Sequence, residues 1–280
     1  MAMFEVIETI NNPGAPGKTG DDRYGFDASA GAAWVLDGAT DVTDLRPFPK
    51  AESGAAWIAQ TLSELLAASP WPEDEPKDYV SRILKQALAR AEKESALPLG
   101  SLPGEAWPIA AGMWMRRGED NRTDFAWLGD CVALIRPTGQ RADIIGSLEK
   151  AEAETDVAKQ LMALSEAERW DALRLARRDA YDAKAAIFGL RPEAADALNT
   201  SVRTLPVESD IVLMTDGLFR LITPYRTHDA DSLMALIEQS GVSGAVAALR
   251  AMEGDDGDNA ALGRIKRSDD ACAVWLKLRE

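Results

Sequence analysis

The sequence predicts an α+β layered sandwich. Apolar segments of strand length come in groups, and amphipathic helical segments stand between the groups without the strict strand-helix rhythm of a parallel sheet. Between residues 108 and 145 the apolar runs are broken only by GEDNR and PTGQ, turn sequences that imply antiparallel pairing. A chain of 280 residues that is 46% hydrophobic and 28% charged is long enough for one large domain or two small ones, and because large sandwiches use this length as one, a single domain over 1–280 is expected.

In chain order, Phe4, Val6 and Ile7 begin a strand that breaks into a Gly/Pro/Asn loop, Asn11 to Gly25, containing Lys18, Asp21, Asp22 and Arg23. Ala32 to Leu36 reads as a buried strand stopping on Asp37 and Gly38. Trp57, Ile58, Thr61, Leu62, Leu65 and Leu66 recur at helical spacing within Ala51 to Ala68. A second helix follows at about Asp78 to Ala91, after the Pro-rich break SPWPEDEPK. Strands are expected over Pro108 to Met115, Asp124 to Ile135 and Ala142 to Ile145, and a charged helical stretch over Glu149 to Ala186. Its arginines, Arg169, Arg174, Arg177 and Arg178, read as a solvated helix face balanced by Glu and Asp, with a phosphate or partner surface as the other reading. The strand Asp210 to Thr215, helices Asp231 to Gln239 and Ser243 to Met252, a polar loop Glu253 to Ser268 and a last strand Ala271 to Leu278 complete the chain.

Composition narrows the function. A formal net charge of −15 argues against nucleic-acid and anionic-membrane surfaces, which need clustered Lys and Arg, and permits basic partners and bound cations. No run approaches the ~18 apolar residues of a membrane span, and acidic residues near the N-terminus do not suit a signal peptide, so a cytoplasmic protein is expected. Cys131 and Cys272 lie in apolar strands and read as reduced, buried thiols. The lone His228 sits in a polar segment, which speaks against histidine-rich zinc sites and a Ser-His-Asp triad.

The chemistry-bearing signal is a repeated strand ending. Leu36-Asp37-Gly38, Leu128-Gly129-Asp130 and Thr215-Asp216-Gly217 each close an apolar strand with a carboxylate beside a glycine. Any one of them alone is an ordinary turn. Brought together on a rigid edge, such carboxylates repel one another unless a hard divalent cation neutralises them.

In their order along the chain, Gly-Asp-Asp-Arg after the first strand, Asp37-Gly38, Gly129-Asp130, Thr215-Asp216-Gly217-Leu218 and Asp269-Asp270 before the last strand resemble the metal-dependent protein phosphatases, the type 2C serine/threonine family. The resemblance covers nearly the whole chain and implies a divergent, bacterial-type member. It implies a four-layer αββα sandwich, two stacked and mainly antiparallel β-sheets flanked by helices, with a helical flap-type insertion at about 147–190. Also implied are two Mn²⁺ or Mg²⁺ ions, with a third in some members. Asp37 would bridge the pair, Asp216 and Asp269 would hold the first ion, and Asp21 with the Gly38 carbonyl would hold the second. Asp22 would orient waters around the ions, and Asp130 with Asp216 would admit the third. Lys18 would stand in for the arginine that binds substrate phosphate, with a point charge in place of a bidentate fork.

The implied reaction is hydrolysis of phosphoserine or phosphothreonine in a phosphoprotein, in signalling, because two Lewis-acidic ions both neutralise the ester and acidify a water. The departures are Asp21 where the family usually has Glu, Ala39 and Thr40 after Asp37-Gly38, and no histidine general acid there. A phosphatase-like regulatory or binding module with weakened catalysis, or a phosphatase of a small phosphorylated metabolite, also fits these residues.

Overall fold

The computed structural model describes residues 3–69, 71, 75–182, 187–255 and 266–279. Its strands are β1 Phe4–Asn12, β2 Arg23–Asp27, β3 Ala32–Gly38, β4 Ala110–Arg117, β5 Arg122–Leu128, β6 Val132–Arg136, β7 Asp143–Ile145, β8 Asn199–Thr204, β9 Asp210–Met214 and β10 Ala271–Leu278. Its helices are α1 Gly54–Ala68, α2 Pro76–Glu94, α3 Leu148–Met162, α4 Glu166–Asp182, α5 Asp216–Phe219 and α6 Ala230–Asp255. Two five-stranded sheets, β1-β10-β9-β6-β7 and β2-β3-β4-β5-β8, are antiparallel at every pairing.

The sheets stack because their strands are apolar on both faces. Along β3, Ala33 and Val35 join Met113, Met115, Leu213 and Val274 between the sheets, while Trp34 and Leu36 point the other way. There they meet Trp57, Ile58 and Leu62 of α1 and Tyr79, Ile83 and Leu84 of α2. On the opposite outer face, Val212, Met214 and Ala273 pack under Leu218, Phe219, Leu233, Ile237 and Leu249 of α5 and α6. Three apolar layers between four structural ones follow from this alternation with period two. Leu36 is fully buried, and truncating such a side chain to alanine costs about 2–5 kcal/mol.

Helix starts obey local chemistry. Ser53 caps α1, its Oγ accepting the Ala56 N–H at 2.8 Å, and the Asp41 carboxylate accepts from the Gly54 N–H at 2.7 Å. Ser165 and Glu168 form a reciprocal capping box at the start of α4, with bonds of 3.0 and 3.4 Å. Gly241, at φ 77°, divides α6 into the two helical segments that the sequence predicts. Residues 230–254 are long enough to cross a membrane and include an 18-residue window of mean hydropathy 1.3, yet one face of this helix forms the core against the sheet.

The structure departs from the sequence reading in three places. The expected loop Asn11 to Gly25 contains the end of β1 and the start of β2, and β8 was not predicted at all. Both β2 and β8 are edge strands that are largely polar and partly exposed, so they carry no apolar run. The expected single strand from Asp124 to Ile135 is two strands in different sheets, β5 and β6, separated at Gly129-Asp130-Cys131. Gly129 has φ +92°, and a Cβ there would lie 2.4 Å from the Ala111 Cβ, so only glycine makes this crossover. The charged stretch Glu149 to Ala186 is two helices, α3 and α4, divided at Ala163 to Ser165. Its last four residues and most of the expected loop Glu253 to Ser268 lie outside the described residues.

Candidate metal centre

Strand register brings the acidic residues to one end of the sandwich. Arg23 pairs with Leu36, which sets Asp22 beside Asp37. In the other sheet Met214 pairs with both Val132 and Ala273, so Asp130, Asp216 and Asp269-Asp270 emerge from three neighbouring strands at the same edge. A cavity of about 520 Å³ opens there. Asp37, Gly38, Asp130, Asp216 and Asp269 line one side, and Val42, Ile109, Trp170, Leu173, Arg177 and Ile187 line the other. Thr40 and Lys266 complete its wall.

Each carboxylate has a distinct environment. Burial, followed by repulsion from Asp22, Asp216 and Asp130, pushes the Asp37 carboxyl well above the usual range. Among the described residues no N–H group donates to the Asp37 carboxylate. Asp22, 2% exposed, is also pushed well up by burial and then by Asp270, Asp269 and Asp216, although its carboxylate accepts the Thr215 hydroxyl at 2.7 Å. Asp21 is raised by burial, while a hydrogen bond donated by Ser53, the cap of α1, acts against the rise.

Asp269 differs. Burial raises its pKa, but Arg220 and Lys266 outweigh that and hold it low. Arg220 Nη2 donates to Oδ2 and Lys266 Nζ to Oδ1, each at 2.6 Å. Asp270 turns away to bind backbone, accepting from Gly14 N–H at 2.8 Å and from Asp21 N–H. Gly38 sits between the Asp21 backbone and the first turn of α1, where a Cβ would lie 2.7 Å from both the Asp21 and Ala55 carbonyl oxygens.

A hard divalent cation suits this donor set. Carboxylate oxygens of Asp37 and Asp130 and the Cys131 sulfur lie within 4.8 Å of one another, and burial raises the thiol well above its usual range, leaving oxygen as the charged donor. Asp37, which Asp22, Asp216 and Asp130 all repel, is the carboxylate that an added cation would relieve.

Lys18 lies off the cavity. It is 61% exposed, pairs with Glu52 at 3.0 Å, and lines a neighbouring cleft with Asp21, Lys266 and Asp269. His228 stands between α5 and α6, with Nδ1 3.0 Å from the Thr227 hydroxyl, and both cysteines are free and buried. Sequence reasoning did not single out Lys266 or Arg220, and it set Arg177 among solvated arginines. Lys266 lay in what read as a polar loop, and Arg220 looked like one charge in an apolar segment. The available hint was their spacing, four residues after Asp216 and three before Asp269.

The protein phosphatase 2C family model matches residues 15–252. The chain belongs to the protein phosphatase 2C family. Asp269 and Asp270 lie beyond the matched residues, and the fold brings them to the same edge. Among solved structures, PppA, a regulatory component of the T6SS in Pseudomonas aeruginosa, is similar at a TM-score of 0.58 and 11% identity, covering 99% of both chains. The catalytic domain of the serine/threonine phosphatase PstP, in complex with two manganese ions, is similar at 0.57 and 12%, covering 100% of both chains. RsbX in complex with magnesium gives 0.51 and 11%, also covering 100% of both. These are likenesses of fold, and they match the paired antiparallel sheets and flanking helices of this 2C-type chain. No curated protein sequence matches it.

Proposed function

We propose that this 2C-type protein hydrolyses phosphoserine and phosphothreonine esters in proteins, with water as the nucleophile, at a centre of two Mn²⁺ or Mg²⁺ ions. The observation that carries this reading is the convergence of Asp37 and Asp130 from one sheet edge with Asp216 and Asp269 from the other on the wall of a single cavity of about 520 Å³. When bound, the ions supply Lewis acidity that neutralises the ester and lowers the pKa of water. Asp37, Asp216 and Asp269 would hold the first ion, Asp21, Asp37 and the Gly38 carbonyl the second, and Asp130 with Asp216 a third.

The chain's own residues do the rest. Asp22 is fixed by Thr215, whose hydroxyl in turn accepts the Cys272 N–H at 3.0 Å, so this carboxylate is aimed from the core and can orient a water by accepting its proton. Asp21 is anchored to the cap of α1 through Ser53, which donates to its Oδ1. Trp170 and Leu173 of α4 cover the mouth and restrict solvent around the reacting ester.

The test is hydrolysis of phosphoserine and phosphothreonine peptides, p-nitrophenyl phosphate and a panel of small phosphorylated metabolites, each with added Mn²⁺. Turnover on phosphopeptides is expected. High turnover confined to a metabolite would replace the protein substrate, and Mn²⁺ binding without turnover on any ester would establish a binding module. One observation favours that last reading: protein cations already engage both oxygens of Asp269.

A further inference from the structure

Thr40 holds two cations at the mouth of the cavity. Arg177, reaching down from α4, donates from Nη2 to the Thr40 carbonyl at 2.9 Å. Lys266, entering from the segment before β10, donates from Nζ to the Thr40 hydroxyl, also at 2.9 Å. Both line the same cavity as Asp37 and Asp216. Like charges brought onto one residue repel each other, and an arrangement of this kind is stabilised by an anion placed between them.

The other arginines of α4 are committed elsewhere. Arg174 pairs with Asp171 at 2.9 Å, Arg178 is held by Glu105 at 2.6 Å, and Arg169 donates to the carbonyls of Leu161 and Leu164. Arg177 forms no ion pair with a carboxylate among the described residues, and burial lowers its pKa. A half-buried guanidinium that keeps a single backbone acceptor has donors left for a ligand, and its planar fork suits phosphate oxygens.

We propose that Lys266 and Arg177 are the residues that bind the phosphate group of the substrate, while Trp170 and Leu173 receive the carbon side of the ester. The proposal rests on the phosphatase reading and identifies its ligand end: a phosphomonoester dianion with an apolar neighbour, entering under α4. In this chain the phosphate-binding charge comes from α4 and the segment before β10, and Lys18 remains with Glu52. Lys266 is shared between Asp269 and Thr40, so a cation that takes over Asp269 frees the ammonium for phosphate without detaching it from Thr40.

The experiment is calorimetric titration of inorganic phosphate into the Mn²⁺-treated full chain, with Mn²⁺ affinity measured on the same preparations. Lys266→Gln and Arg177→Gln are each expected to weaken phosphate by about tenfold or more, the loss of one charge-assisted hydrogen bond. Lys266→Arg should restore most of the affinity, and Mn²⁺ should bind no more weakly in Lys266→Gln, which removes a competitor for Asp269. Phosphate affinity unchanged in both Gln variants, or no phosphate binding by the wild type, would overturn the proposal. So would a parallel loss of Mn²⁺ and phosphate in Arg177→Gln, which would show damage to the centre itself. The two readings separate cleanly: phosphate bound through these cations with no ester hydrolysed refutes the phosphatase and keeps the pair. Normal hydrolysis with unaltered phosphate affinity in both variants refutes only the pair.

Discussion

Asp37 ends β3 in one sheet and Asp216 follows β9 in the other, and the two carboxylates line the same cavity. Carboxylates gathered on one cavity wall repel each other, Asp216 adding to the rise of the Asp37 carboxyl, and a divalent cation relieves that repulsion. Asp37→Asn or Asp216→Asn keeps the shape and removes one charge from the cation shell. Hydrolysis is expected to fall by orders of magnitude and Mn²⁺ affinity with it, while circular dichroism stays native. Full turnover in either variant would remove these residues from the centre.

Metal should also stabilise the fold. A cation that binds only the native state at a hundred times its dissociation constant contributes about 2.7 kcal/mol. Thermal denaturation should therefore shift upward with millimolar Mn²⁺ or Mg²⁺ and return on chelation. An unmoved curve would mean that the acidic edge holds no ion.

The metal-free protein should respond to pH through Asp37 and Asp22. Their folded pKa values are raised, so their contribution to stability is complete below the unfolded value of about 4 and is lost as pH rises through the folded values. Glu52 and Glu105, each lowered to about 2, act oppositely, and their contribution is lost only as pH falls toward that value. Above the unfolded carboxylate value of about 4 the raised pair dominates, and the chelated protein should melt at lower temperature as pH rises toward their folded values. Mn²⁺ or Asp37→Asn should flatten that slope, and melting scans in matched buffers give the comparison.

Arg177 and Arg178 are neighbours with different tasks. Arg178 grips Glu105 through Nε and Nη2 at 2.9 and 2.6 Å, and with the Trp107–Tyr181 ring stack it ties α4 to the turn at Gly104–Ala106. The pair is largely exposed on the arginine side, so Arg178→Glu should leave the melting temperature little changed. Its effect should appear as a several-fold higher KM for phosphopeptides, with p-nitrophenyl phosphate hydrolysis and Mn²⁺ affinity little changed. Equal losses on both substrates would show that α4 supports the centre itself.

Much of this architecture was legible because burial on both faces writes itself into a strand. Ala32 to Leu36, Ile211 to Met214 and Ala271 to Leu276 are apolar throughout, and Asp37-Gly38 and Asp216-Gly217 mark where the first two stop. The edge strands β2 and β8 were illegible for the complementary reason: RYGFD and NTSVRT pair on one side and meet solvent, so no periodicity betrays them. The split of β5 from β6 hid in a two-residue signal, Gly129-Asp130, that reads equally well as a tight turn. At the site, carboxylates announced themselves by position, whereas Lys266 and Arg177 act through Thr40, a contact spanning 226 and 137 residues of sequence. Nothing local encodes such a separation.

The most direct measurement is the metal content of crystals by anomalous scattering at the Mn edge, with phosphopeptide turnover assayed on the same preparation. The prediction is two ions held by Asp37, Asp216, Asp269, Asp21 and the Gly38 carbonyl, and turnover that chelation abolishes and Mn²⁺ restores. An acidic edge without ions at millimolar Mn²⁺, or turnover that survives chelation, would contradict it.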